Sequence, residues 1–253
     1  MVDYLVSNRV AIITIGRPEA RNAIDGAVAT GIEHAIDRLE ADPECWAGIL
    51  TGEGPVFCAG ADLRAIAAGQ AASLRTARGG FAGVVSRDRT KPLIAAVDGP
   101  ALAGGFEMVL ACDLVVASRR AVFGLPEVKR SLVAAGGGLF RLPRTVGPKV
   151  AMELILTGDP IAAELAYEMG LVNVLVDPDQ ALEGARALAA RIVANAPQAV
   201  WASRAVAARA LSEDDNALWA LTAEALAKVG KTEDFTEGPR AFIEKRPPVW
   251  TGR

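Results

Sequence analysis

Residues 102–113, LAGGFEMVLACD, place a glutamate just after two glycines and ahead of an uncharged run. Glycines at a helix start leave backbone N–H groups open to an anion or to an oxyanion that develops during a reaction. Glu107 then has two explanations. A carboxylate in the first helical turn gains about 0.3–1 kcal/mol from the macrodipole, and a carboxylate beside an N–H pocket is suited to acid–base catalysis.

The segment FCAGADL, residues 57–63, is a second small-residue loop that follows a predicted strand. It also offers backbone N–H groups, although Asp62 is a suitable N-cap for an ordinary helix that begins at Leu63. Two donors from two different strands are what the stabilisation of one thioester or amide oxyanion requires. The two loops together therefore indicate an oxyanion hole.

Glu127, in FGLPEVK, follows a proline, so it occupies either a simple turn or a second catalytic position. Two carboxylates after successive strand ends act as a general acid and a general base when burial and mutual repulsion separate their pKa values. Glu107 and Glu127 can form such an acid–base pair only if they lie close together, and their spacing along the chain does not establish this.

Other kinds of catalytic site are disfavoured. His34 is the only histidine and falls on the polar side of a predicted helix, so we expect it at the surface, and the three cysteines form no Cys-x-x-Cys pair. A Ser-His-Asp triad and a metal site are therefore not expected. Residues 134–141, AAGGGLFR, lack the Gly-x-Gly-x-x-Gly spacing of a dinucleotide loop.

Charge and hydropathy limit the partners and the location. The 253 residues are 51% hydrophobic, with a formal charge of −3 and a pI near 5.4, which disfavours nucleic acid or an anionic membrane as the main partner. Charges interrupt the apolar runs well before the roughly 18 residues that a membrane span needs. No secretion signal is visible, and Cys45, Cys58 and Cys112 fit a reducing compartment as buried hydrophobes. We expect a soluble, cytoplasmic protein.

Strands and helices alternate over roughly the first 150 residues, which predicts an α/β core. The predicted elements are strands at about 3–6, 10–15, 46–52, 93–97 and 112–118, and a first helix over 25–42 capped by Asp25. Residues 181–230 are alanine-rich and helical in period, which predicts a helical appendage. The Pro-Pro step in the tail stops the last helix at about Arg246.

Four segments in combination resemble the enoyl-CoA hydratase/isomerase family, the crotonases. They are FCAGADL, AAVDGPALAGGFEMVLACDL, FGLPEVKRSLVAAGGGLFRLPRTVGPKVAMELILTGDPI and the closing EGPRAFIEKR. The resemblance covers nearly the whole chain. It implies a spiral of ββα units that forms two near-perpendicular sheets, followed by a helical trimerisation region. We accordingly expect an α/β core with the acyl-CoA site over 1–190, an oligomerisation region over 191–253, and a homotrimer or a hexamer of paired trimers.

The resemblance also implies an enzyme of lipid metabolism that adds water across the 2,3-double bond of a 2-enoyl-CoA. By this resemblance, the backbone N–H groups of Ala61 and Gly104 form the oxyanion hole for the thioester carbonyl. Glu107 orients and deprotonates the attacking water, and Glu127 delivers a proton to C2. No metal or cofactor is implied, because CoA is part of the substrate.

Six residues are implied to bind CoA: Arg21, Ala59, Asp62, Leu63, Phe242 and Lys245. We expect the adenine near the backbone of the first loop and the phosphates near Arg21. Phe242 and Lys245 are expected to complete the pocket, often from a neighbouring subunit. A buried aromatic and a solvated lysine are the alternative explanation of these last two residues.

The sequence also departs from the pattern of the fatty-acid hydratases. Ala134-Ala135 replaces a common Pro-Gly step, and the third segment is closer to the branch that includes carnitinyl-CoA dehydratase. Isomerisation, or hydration of a polar or branched acyl-CoA, is therefore the alternative activity. One branch binds RNA through a lysine-rich helix, but the matching helix here, residues 25–44, contains no lysine, so we expect no RNA partner.

Overall fold

The computed structural model describes all residues from 1 to 253. Its strands are β1 Val2–Ser7, β2 Val10–Ile15, β3 Ala47–Gly52, β4 Arg75–Thr76, β5 Gly80–Phe81, β6 Leu93–Val97, β7 Ala101–Leu102, β8 Leu114–Ser118, β9 Val122–Gly124, β10 Ile161–Ala162 and β11 Val174–Val176. Its α-helices are α1 Gly26–Ala41, α2 Leu63–Ala67, α3 Gly104–Ala111, α4 Gly138–Val146, α5 Pro148–Thr157, α6 Ala163–Glu168, α7 Ala181–Val193, α8 Pro197–Ala207, α9 Asp215–Val229 and α10 Glu233–Glu244.

Six strands form the main sheet in the order β1-β2-β3-β6-β8-β11, in which only the β1–β2 pair is antiparallel. A smaller sheet has the order β10-β9-β7, with β9 parallel to β7. The strands β4 and β5 pair as a short hairpin. Because parallel neighbours end at the same edge, the loops that follow β3 and β6 leave the main sheet side by side.

Apolar side chains cover both faces of the main sheet. Strand β2 sends alternate residues to the two faces, so Ile13 lies in a core of 41 buried residues and Ile12 lies in a second core of eight. The second core is closed by α7 through Ala185 and Ala189. Their small side chains let the helix lie close to the strands.

Most of the elements predicted from the sequence are confirmed. The strand at 93–97 has the predicted bounds, and Asp25 caps α1 by accepting a hydrogen bond of 2.9 Å from the Val28 N–H. His34 is exposed, as expected. The prediction of three buried cysteines is wrong for Cys112, which is half-buried at the C-terminal end of α3.

The last four helices follow one another without an intervening strand. Trp201 of α8 donates its indole N–H to the Trp46 carbonyl at 3.0 Å, which joins this region to the start of β3. Helix α9 has no buried residue, and its Trp219 and Leu226 side chains are exposed. The helix therefore presents an uncovered apolar surface in the single chain. No helix has the length and apolar character needed to cross a bilayer.

Candidate active site

Backbone pairing brings the two glycine loops together. Cys58 and Ala101 form a parallel bridge, in which the Leu102 N–H donates to the Cys58 carbonyl at 3.0 Å. Ala61 lies three residues beyond Cys58, and Gly104 lies three residues beyond Ala101. Equal spacing from paired residues explains why the two predicted oxyanion donors reach the same place.

The N–H groups of Ala61 and Gly104 donate no hydrogen bond within the chain. Gly60 shows how close their segments are, since a Cβ atom added to it would lie 3.1 Å from the Gly104 nitrogen and 2.9 Å from the Ala103 Cβ. Its φ of +95° also lies in the region that favours glycine. Two free N–H groups thus lie on adjacent loops, as an oxyanion hole requires.

Close packing accounts for the glycine pair at the start of α3. A Cβ atom on Gly104 would overlap the Phe81 ring, and one on Gly105 would overlap the Cys58 carbonyl. The preceding residue, Ala103, has φ +52° and ψ −129°, a conformation that a residue with a side chain adopts only where its surroundings enforce it. Strain at this turn is held in place by the packing around it.

Glu107 points from the first turn of α3 into the protein and is only 4% exposed. Its Oε1 atom accepts hydrogen bonds from the N–H groups of Gly136 at 2.7 Å and Gly138 at 2.9 Å. Burial raises the pKa of this carboxyl, and the two N–H donors oppose the increase by stabilising the ionised form. The carboxylate is therefore held in one orientation.

Glu127 reaches the same site from the small sheet. Strand β9 is the parallel neighbour of β7, so the turn Pro126–Arg130 leaves the sheet beside the start of α3. Burial raises the pKa of Glu127 to about 7, and the charge of Glu107 adds to the increase. The Oε2 atom of Glu127 is buried without a hydrogen-bond partner. The two carboxylates thus converge closely enough to interact.

The glycine loop at 136–138 supports Glu107, a role that its sequence, which lacks the spacing of a dinucleotide loop, does not predict. Its N–H groups hold Glu107, and a Cβ atom on Gly136 would lie 2.5 Å from the Glu107 Oε2 atom. The available signal was the uninterrupted Gly-Gly-Gly run directly before a helix, because three residues without side chains permit close approach to a buried group.

The residues expected to bind CoA on the first loop lie together. The Ala59 N–H donates to the Arg21 carbonyl at 3.0 Å, and Arg21 has an exposed side chain. Asp62 caps α2, accepting a hydrogen bond of 2.9 Å from the Arg64 N–H, and Leu63 is exposed. The capping role of Asp62, considered as an alternative from the sequence, is confirmed.

Phe242 and Lys245 are not joined to this loop within one chain. Phe242 is 85% exposed on α10, and Lys245 ends that helix without an ion pair. A buried aromatic is therefore the wrong description of Phe242 in the single chain. No group of three or more histidine, cysteine, aspartate or glutamate side chains is arranged to hold a metal ion.

Comparison with known proteins agrees with this fold. The family model for enoyl-CoA hydratase/isomerase matches residues 6–253. The crystal structure of an enoyl-CoA hydratase from Mycobacterium tuberculosis H37Rv has 48% sequence identity and a TM-score of 0.95, covering 100% of this chain and 99% of that one. The chain belongs to the enoyl-CoA hydratase/isomerase family.

Two further relatives represent the other branch considered from the sequence. A carnitinyl-CoA dehydratase of Salmonella typhi is 40% identical over 247 residues, which are 95% of this chain and 94% of that protein. The crystal structure of a carnitinyl-CoA hydratase from Mycobacterium avium is 46% identical, with a TM-score of 0.78 over 100% of this chain and 98% of that one. The predictions of a crotonase-like α/β fold and of an enzyme of this family are confirmed.

Proposed function

We propose that this chain is an enoyl-CoA hydratase in which Ala61 and Gly104 bind the thioester oxygen while Glu107 and Glu127 transfer protons. The observation that carries the proposal is that the buried Glu107 and the half-buried Glu127, both with raised pKa values, interact beside two free N–H groups. A hydration needs a base for the water and an acid for the carbon that becomes protonated, so both glutamates have a task.

The oxyanion hole activates the enoyl group. When the N–H groups of Ala61 and Gly104 donate to the thioester oxygen, electron density moves towards that oxygen, so C3 becomes electrophilic and C2 can carry transient enolate character. Removal of one such donor typically costs about 10²–10³ in kcat, or roughly 2.7–4 kcal/mol. This polarisation lets a neutral water become a sufficient nucleophile once a base assists it.

Glu107 is suited to hold and deprotonate the water. The Gly136 and Gly138 N–H groups occupy its Oε1 atom and stabilise its ionised form, while its Oε2 atom accepts no hydrogen bond from the protein. Glu127, whose pKa is about 7, retains its proton in a large share of molecules near neutrality. It is therefore suited to protonate C2.

The CoA moiety is proposed to lie along Ala59, Asp62 and Leu63, with Arg21 near its phosphates. Since Phe242 and Lys245 are exposed and unpaired in one chain, we propose that they contact CoA bound to a neighbouring subunit. The exposed apolar residues of α9 support an oligomer built on the region 191–253. No cofactor takes part in this scheme, and the free cysteines suit the cytoplasm.

Hydration of a polar or branched acyl-CoA is the second candidate function. It is favoured by the relatives named carnitinyl-CoA dehydratase and hydratase. Ala134 is buried and Ala135 is exposed directly before the loop that holds Glu107. Fatty-acid hydratases commonly have a Pro-Gly step here, so we propose that the floor of the acyl pocket differs in this chain.

The test is to mix the purified protein with crotonyl-CoA and a panel of longer, branched and polar 2-enoyl-CoAs. Hydration removes the ultraviolet absorbance of the conjugated thioester and increases the product mass by one water. Isomerisation leaves the mass unchanged, so mass analysis separates the two reactions. Absence of any hydrated product across the panel, from a folded protein, would contradict the proposal, and a preference for polar acyl groups would favour the second candidate.

A further inference from the structure

The guanidinium of Arg141, on α4, binds two carbonyl groups from different parts of the chain. Its Nη1 atom donates to the Gly136 carbonyl at 3.1 Å, and its Nη2 atom donates to the Val85 carbonyl at 2.5 Å. Gly136 belongs to the loop whose N–H groups hold Glu107. Arg141 therefore binds the loop that holds Glu107, but it makes no hydrogen bond with the Glu107 carboxylate itself.

The second carbonyl connects Arg141 to the support of the oxyanion hole. The Val85 N–H donates to the Phe81 carbonyl at 3.3 Å, and the Phe81 ring lies where a side chain on Gly104 would have to be. The Arg141 guanidinium thus links two segments, the one whose Phe81 ring packs against Gly104 and the loop that holds Glu107.

The chain leaves specific room for this guanidinium. Gly137 has φ +104°, and a Cβ atom at this position would overlap the Arg141 Nη1 atom. The backbone conformation favours glycine, and the absence of a side chain leaves the space that the Arg141 Nη1 atom fills. Together with the hydrogen bond to the Gly136 carbonyl, this fit places the guanidinium against the loop.

The electrostatics fit the same arrangement. Burial lowers the pKa of Arg141, and the negative charge of Glu107 opposes this decrease. In return, the positive charge of Arg141 favours the ionised form of Glu107. The other charged or titratable groups that act on this set are Arg75 on Glu107, Arg130 on Glu127, and Arg89, Arg144 and Cys112 on Arg141.

We infer that Arg141 is a positioning residue of the hydration reaction, an inference that rests on the proposed function. By binding the Gly136 and Val85 carbonyls together, it keeps the Gly136 and Gly138 N–H groups directed at Glu107. Arginine suits this task because its planar guanidinium presents several N–H donors in a fixed geometry, whereas a lysine ammonium is a single point charge on a flexible stem.

The experiment compares Arg141→Met, Arg141→Lys and the control Arg144→Met. Arg144 lies one turn further along α4, and its side chain makes no hydrogen bond or ion pair, although its guanidinium carbon lies 5.5 Å from the Phe140 ring centroid. For each variant, kcat and KM for hydration of an enoyl-CoA are measured across pH. Carboxyl-carbon NMR titration gives the pKa of Glu107, with Glu107→Gln used to assign its signal, and thermal unfolding checks the fold.

We expect Arg141→Met to lower kcat about 10–100-fold, since misplacement of a catalytic group by about 1 Å can cost 10²-fold, while KM changes little. Loss of the positive charge should also raise the pKa of Glu107, so the acidic limb of the rate profile moves to higher pH. Arg141→Lys keeps the charge, so the pKa should stay close to that of the unaltered protein while kcat remains reduced. Arg144→Met should behave as the unaltered protein.

Unchanged kcat in both Arg141 variants, or an effect confined to KM, would overturn the inference. If Arg141→Met does not fold, Arg141→Lys carries the kinetic test by itself. Failure of the proposed function has a different signature, namely no hydration by the unaltered protein. In that case the NMR titration still decides, because a Glu107 pKa that does not move in Arg141→Met contradicts the role of Arg141.

Discussion

Glu127 and Glu107 approach each other from neighbouring parallel strands, and the charge of Glu107 helps to raise the pKa of Glu127 to about 7. Burial contributes the larger part of that increase. Burial raises the pKa of Glu107 as well, but two N–H donors favour its ionised form, whereas no donor reaches the buried Oε2 atom of Glu127. This difference in hydrogen bonding supports the proposal that Glu107 acts as the base and Glu127 as the acid.

The first prediction concerns pH. The proposed mechanism requires ionised Glu107 and protonated Glu127, so kcat/KM should fall as pH rises through about 7, when Glu127 loses its proton. Arg130 lowers the pKa of Glu127. Arg130→Met should therefore raise that pKa and move the alkaline limb to higher pH. Lys129→Met is the control, and an alkaline limb that stays in place in Arg130→Met would contradict the assignment.

The second prediction concerns the space behind the oxyanion hole. Gly104→Ala should lower kcat by about 10²-fold, because the new methyl group overlaps the Phe81 ring and displaces the Gly104 N–H donor. Adding Phe81→Leu to this variant should restore part of the activity by making room. Gly230→Ala, at the end of α9 with φ −59°, is the control. Full activity in Gly104→Ala would show that the donor is elsewhere.

The third prediction concerns the loop that holds the base. Gly136 does not have a positive φ, so alanine is compatible with its backbone, but the added Cβ would lie 2.5 Å from the Glu107 Oε2 atom. Gly136→Ala should therefore displace the carboxylate and lower kcat about 10–100-fold with a stable fold. Steady-state kinetics with thermal unfolding checks this. If a loss of stability accounts for all of the lost activity, displacement of the Glu107 carboxylate is not the cause.

The local elements could be predicted from the sequence, whereas the assembly of the site could not. Strand Leu93–Val97 and the caps Asp25 and Asp62 follow from hydrophobic runs and capping preferences over a few residues. The convergence of Glu107 with Glu127 depends on strands β7 and β9, which contain two and three residues. Strands so short have no periodic pattern, and their pairing is determined by contacts remote in sequence.

The glycine loop and Arg141 were missed for a related reason. Gly136 and Gly138 act through backbone N–H groups, which every non-proline residue carries, so their role depends on where Glu107 lies in space. The proposed CoA contacts of Phe242 and Lys245 have a further requirement. Both side chains are exposed in one chain, so such contacts would need another subunit or the ligand itself.

The fourth prediction concerns CoA. If Lys245 binds a CoA phosphate, Lys245→Met should raise KM for the acyl-CoA with little change in kcat, since the lost contact is made equally in the ground state and the transition state. Lys231→Met, an exposed lysine just before α10, is the matched control. Equal KM values for the two variants and the unaltered protein would remove Lys245 from the proposed site.

The most direct test of the central claim is the rate of water addition to an enoyl-CoA by Glu107→Gln, Glu127→Gln and the exposed control Glu168→Gln. Glutamine preserves the side-chain shape but removes the proton-transfer group, so each of the first two variants should lose about 10²–10⁴-fold in kcat. Glu168→Gln should keep full activity. Near-normal hydration by both folded Glu107→Gln and Glu127→Gln would contradict the assignment of these two residues as the catalytic pair.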